Sequence, residues 1–134
     1  MNDMQEKYAQ LKLMDSQIQE MQQQIQAFES QGNEIRSIVD GLKDFEKVKK
    51  GTEILVPVCS GIFAKARLEE NNSLLMNVGA GVVVSKNMED ARKLLIEQLE
   101  KVAQLQEQLT IEINKIAVKA LPLQEEINKI AGNV

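Results

Sequence analysis

Apolar residues fall at Leu11, Met14, Ile18, Met21, Ile25 and Phe28, in alternating steps of three and four. This is the heptad seam of a coiled coil, and a helix that carries it must find a second helix to cover one narrow stripe. From about Asp3 to Lys50 the chain has no Pro, and the stripe continues less regularly through Ile35, Ile38, Val39, Leu42, Phe45 and Val48. Gly32 and Gly41 weaken it by about 1 kcal/mol each relative to Ala. Lys47, Lys49 and Lys50 put positive charge where a last helical turn favours it, and Gly51 suits the left-handed residue that follows a helix. The spacing predicts one helix over 3–50.

A second stripe, Ala91, Leu95, Leu99, Val102, Leu105, Leu109, Ile113, Ile116, Ala120, Leu123, Ile127 and Ile130, follows an N-capping Asn87 and the acidic Glu89 and Asp90. Successive four-residue steps across Leu105, Leu109 and Ile113 read as a stutter in the heptads. Pro122, which lacks an N–H and crowds the carbonyl of Val118, should kink this helix, predicted over 87–131. The two helices would be about 48 and 44 residues long, roughly 65 to 72 Å at the helical rise. Such matched stripes favour an antiparallel coiled coil whose chain termini meet at one distal tip, with the intervening segment at the other end.

That intervening segment, 52–86, is different in kind. Glu53 to Cys59, Ile62 to Leu68, Leu74 to Val78 and Val82 to Lys86 are short, rich in Val, Ile and Leu, and broken by turn residues. Ser60-Gly61 closes a first hairpin, Gly79-Ala80-Gly81 a second, and polar Glu69 to Ser73 joins them. Phe63, Lys65 and Arg67 alternate with Ile62, Ala64, Ala66 and Leu68, so one face is wet and the other needs cover. The first strand is apolar on both faces, and Pro57 cannot donate to a ladder, which assigns it to an edge or a bulge. Isolated hairpins are marginal in water, so the economical arrangement joins hairpins from several chains into a shared sheet or barrel. The expected fold class is therefore α+β, mostly α: a long antiparallel coiled-coil hairpin with two central β-hairpins that form an oligomeric β-barrel hub. The hub-forming residues expected are Ile54, Val56, Val58, Phe63, Leu75, Val78, Val82 and Val84.

Composition narrows the function. Of 134 residues 43% are hydrophobic but only 3% aromatic, so aliphatic side chains carry the packing. A net charge of -4 without a basic block disfavours nucleic acid and anionic membranes as partners. No apolar run reaches transmembrane length, and MNDMQEKYAQ lacks the apolar core of a signal peptide, which points to the cytoplasm. The single cysteine, Cys59, fits a reducing compartment.

The stretches EILVPV (53–58), GIFAKARL (61–68) and NVGAGVVVSKNMEDA (77–91) resemble the prefoldin family, specifically the archaeal-type alpha class, whose subunits carry two hairpins where the beta class carries one. The coils match in length, periodicity and position. Cys59-Ser60-Gly61 replaces a more Gly-rich turn common in the family. The resemblance implies one prefoldin-type domain over 1–134 and a hexamer of two alpha and four beta subunits with a double β-barrel and six tentacles. It further implies ATP-independent capture of unfolded polypeptides and their delivery to a group II chaperonin, with no cofactor. The same rod and hub would also suit a coiled-coil scaffold that tethers defined partners.

On that reading the client-binding tip comprises Met1, Met4, Tyr8, Leu11, Ile127, Ile130 and Val134, where partner helix runs out and flexible thioethers adapt to irregular apolar surfaces. Met14 and Met21, by contrast, fall in the seam and serve packing. Other chemistry finds little support. Cys59 has no histidine in the chain to act as its base and no second cysteine, so a packed strand residue is expected. Gly79-Ala80-Gly81 matches no phosphate-binding motif. The carboxylates of EENN at 69–72 lack the spacing of a calcium loop. Gln22 to Gln24 lie between seam residues Met21 and Ile25 and read as a solvated helix face. No catalytic residue and no metal ligand is expected.

Overall fold

The computed structural model describes residues 2–132, and the side chains of residues 3–132. Two long helices, α1 (Asn2–Glu46) and α2 (Met88–Gly132), enclose four strands: β1 (Glu53–Cys59), β2 (Ile62–Arg67), β3 (Ser73–Gly79) and β4 (Val82–Asn87). The chain forms two compact units, Met1–Gly32 with Lys101–Val134, and Asn33–Glu100.

In the first unit the heptad stripes behave as their spacing requires. Leu11, Met14, Ile18, Met21, Ile25 and Phe28 are half-buried, as are Leu109, Ile113, Ile116, Ala120, Leu123 and Ile127, while the positions between them are mostly exposed. Lys7 meets Glu126 (Nζ to Oε2, 2.8 Å), and the Gln106 amide donates to the Ile25 carbonyl at 3.1 Å. A later residue of α1 thus meets an earlier residue of α2, so the helices run antiparallel. α2 is continuous through Pro122.

The second unit holds most of the buried residues: Ile35, Leu68, Met88, Ala91 and Leu95 are core, and Ala91 is wholly inaccessible. Two separate two-stranded antiparallel sheets, β1-β2 and β3-β4, lie between the helices in sequence. In the first, Ile54 faces Ala66 and Val56 faces Ala64; Pro57 opposite Phe63 borders a register shift that ends with Cys59 against Ile62, beside the tight turn. The second repeats the pattern, Met76 facing Val84 and the register shifting between Asn77 and Gly79. The tight turns differ. Only Gly61 has positive φ in the first, whereas Ala80 and Gly81 are both positive in the second, the mark of a type I′ turn. Ala80 holds φ 51° there at a cost of about 1 kcal/mol.

Helix boundaries are where the expected and observed structures part. α2 starts as its cap requires, the Asp90 N–H donating to Asn87 Oδ1 at 2.7 Å. α1, expected to reach Lys50, ends at Glu46, so Lys47, Lys49 and Lys50 lie beyond it and Lys43 is the basic residue of its last turn. The chain tightens into three-residue turns, Lys47 N–H to Asp44 O at 3.2 Å and Val48 N–H to Phe45 O at 3.0 Å. The freed carbonyls are then taken by Asn71, whose Nδ2 lies 2.8 Å from Val48 O, 3.1 Å from Glu46 O and 3.4 Å from Phe45 O. The link between the hairpins thereby caps α1. Gly51 donates to Leu68 O at 2.7 Å and Leu68 to Thr52 O at 2.9 Å, continuing the β1-β2 ladder toward the helix end. Arg92 joins α2 to the last residue of α1 through Glu46 at 2.9 Å.

Candidate functional site

β-Strands present alternate residues to opposite faces, and in these hairpins neither face is fully covered. Of the residues expected to form a hub, Ile54 and Val84 are half-buried, whereas Val56, Val58, Phe63, Leu75, Val78 and Val82 are exposed, Leu75 at 77% and Val58 at 65%. Sequence reasoning missed Leu55, Ile62 and Val83, which are exposed on the same strands. The signal was available: a strand apolar on both faces exposes one apolar set wherever the other is covered. In β3-β4 the covered face is Leu74, Met76, Val84 and Lys86, all half-buried, and the open face is Ser73, Leu75, Asn77, Val83 and Ser85. Cys59 is exposed beside the first turn rather than packed. Each sheet has only two strands, so every strand keeps an unpaired edge.

Clustered exposed aliphatics and open strand edges have one common physical remedy, which is other polypeptide. Fully covering a Val, Leu, Ile or Phe side chain contributes roughly 1.5–3 kcal/mol, so a few of these residues together make cover strongly favourable. The hairpins thus carry clustered exposed aliphatic side chains beside open strand edges.

In the first unit Met4, Tyr8 and Ile130 are exposed, Tyr8 at 58%, while Leu11 and Ile127 are half-buried in the seam. Met1 and Val134 lie outside the described residues. The Lys7–Glu126 pair lies within this set in sequence on both helices, and its hydrogen bond and charge raise the Lys7 pKa above the ordinary 10.5. A further exposed apolar series that the heptad reading left out, Ile111, Val118 and Leu121, lies on α2. Among the described residues no cluster of His, Cys, Asp or Glu could hold a metal ion, and no helix is long and apolar enough to cross a membrane.

Two long helices with two separate β-hairpins between them in sequence, each hairpin carrying exposed apolar residues, define a class of helical-hairpin proteins with a small β insertion. Residues 14–133 match the family described as prefoldin subunit, and the chain belongs to the prefoldin family, a family of chaperones rather than enzymes. It is similar to the prefoldin subunit alpha of Thermofilum pendens, 28% identical over 109 residues, covering 81% of this chain and 84% of the relative. It is also similar to the prefoldin subunit alpha of Archaeoglobus fulgidus, 26% identical over 125 residues, with 93% and 91% covered. The fold resembles that of a filamentous prefoldin from Methanocaldococcus jannaschii solved by cryo-electron microscopy, with a TM-score of 0.82 at 20% identity, covering 89% of this chain and 98% of that one.

Proposed function

We propose that the chain is an alpha-type prefoldin subunit that joins beta subunits, two alpha to four beta, in a cytoplasmic hexamer acting as an ATP-independent holdase. Its two hairpins enter a shared β-barrel hub with those of the partners, and its coiled coil captures unfolded polypeptides and passes them to a group II chaperonin. The observation that carries this reading is the exposed aliphatic surface of the hairpins, which partner subunits would cover, in a chain whose relatives are alpha subunits.

Capture rests on Met1, Met4, Tyr8, Leu11, Ile127, Ile130 and Val134. One such patch binds weakly, because burying each side chain contributes roughly 1.5–3 kcal/mol at most and ordering a client opposes it. Several patches in one assembly act together through effective concentration, so a client is held firmly and released stepwise without a nucleotide. Removing residues 1–10 and 125–134 should leave the hexamer intact and abolish its suppression of aggregation of a denatured test protein. A truncated complex that protects as well as the intact one would move client contacts away from these residues. A complete complex that ignores denatured proteins would instead favour a scaffold that tethers defined partners.

A further inference from the structure

We propose that a strand of a partner subunit adds to the outer edge of β2, along Phe63 to Arg67, and that Pro57 bars a continuous ladder on the outer edge of β1. The proposal rests on the shared-hub reading above and names the edge through which the first hairpin enters it.

One hydrogen bond fixes the direction of every backbone group in this hairpin. The Leu68 N–H donates to Thr52 O at 2.9 Å, next to the strand pair Glu53–Arg67. Bonded and non-bonded pairs alternate along an antiparallel ladder, and the register is unbroken from Glu53 to Pro57. Thr52–Leu68 is therefore a bonded position, and Glu53–Arg67, Leu55–Lys65 and Pro57–Phe63 are the non-bonded pairs. At non-bonded pairs the N–H and C=O groups point away from the hairpin, toward its free edges. β2 thus offers outward donors at Phe63, Lys65 and Arg67, over its whole length. β1 offers them at Glu53 and Leu55 only, because Pro57 has no N–H. A strand proline belongs where its missing donor faces off the edge of a sheet, and its ring stands where an added strand's carbonyl would approach. A full ladder can form on β2; on β1 pairing stops short of the turn.

The backbone array calls for an extended strand, and the side chains select whose. Residues paired across the ladder share a face, which puts Lys65 opposite Leu55 and Arg67 opposite Glu53. Among the described residues neither Lys65 nor Arg67 has a carboxylate within ion-pair distance. In the register of fullest overlap, β2 of a second copy laid antiparallel on this edge sets Lys65 against Lys65, and like charges directly opposite destabilise a pair of strands. Glu53 stands one strand away, and Glu69 and Glu70 follow the strand rather than lie in it, so none takes the place opposite Lys65. A second copy's β1 is shortened by its own Pro57. A strand from a different chain, with Asp, Glu or a neutral residue opposite Lys65, meets the edge without either conflict.

The test uses the full chain co-assembled with its partner subunits. On assembly, amide exchange at Phe63, Lys65 and Arg67 should slow at least about 10-fold, and at least about three times more than at Glu53 and Leu55. Proline variants at one cross-strand pair isolate the edge donor: Lys65→Pro should weaken assembly at least about 10-fold relative to Lys65→Thr, while Leu55→Pro stays within about 3-fold of Leu55→Thr. Both N–H groups point off the edge, so neither proline removes a bond within the hairpin, and circular dichroism of the isolated variants should match the parent. Equal protection of the two edges, or a larger proline penalty at Leu55, would overturn the proposal. So would stable oligomers of this chain alone in which the β2 amides gain the same protection, which would give the edge to a second copy. A parent chain that forms no complex with partner subunits would refute the hub reading itself, and the proposal with it.

Discussion

Replacing Asn71 with Ala should loosen the junction between α1 and the hairpins. The three groups facing the Asn71 amide are carbonyl oxygens, so its nitrogen donates to all of them; it has two hydrogens, and the contacts at 2.8 Å to Val48 O and 3.1 Å to Glu46 O are the bonds that matter. A net contribution of about 0.5–1.5 kcal/mol per bond, with water able to replace the more exposed Glu46 contact, gives a loss of about 1–2 kcal/mol. Asn71→Asp should cost more than Asn71→Ala, because a carboxylate would set acceptor against acceptor at the end of a helix that already carries partial negative charge. Urea unfolding followed by circular dichroism at fixed protein concentration measures the loss. Hydrogen exchange locates it, the Gly51 and Leu68 amides losing protection first because their bonds continue the ladder beside the cap. An Ala variant within about 0.3 kcal/mol of the parent, together with a milder Asp variant, would refute the reasoning and leave the end of α1 to its tightened turns alone.

Val56→Asp should leave both helices formed, since Val56 is exposed in the chain, but block assembly by placing an unpaired carboxylate where partner strands must cover it. Light scattering beside circular dichroism checks this, and normal assembly with partner subunits would remove the hairpins as the hub. The Lys7–Glu126 pair raises the Lys7 pKa in the folded chain, so its stabilising effect is fully present below the ordinary value of 10.5 and is lost as pH rises through the higher folded value. Lys7→Met should therefore flatten the alkaline end of the stability profile, measured by melting between about pH 9 and 12.

The heptad steps from Leu11 to Phe28 and from Leu109 to Ile127, the span of β1 and the Asn87 cap could all be read directly from residue order. Each depends on interactions within a turn or two of chain: helical periodicity, strand alternation, a side chain reaching an amide three residues on. The end of α1 could not be read that way, because the group that accepts its last carbonyls, Asn71, comes from the far side of the first hairpin. The same holds for Gln106 on the Ile25 carbonyl and for the positive φ of Ala80, which the closing of β3 on β4 imposes. Which apolar residues remain uncovered was likewise decided in three dimensions. β1 is apolar on both sides and the middle of α2 on opposite sides of the helix, and residue order cannot say which set a neighbour will take. Packing covers Ile54 and Ile113 and leaves Leu55 and Val118 in water, because burial belongs to pairs of surfaces rather than to positions in the chain.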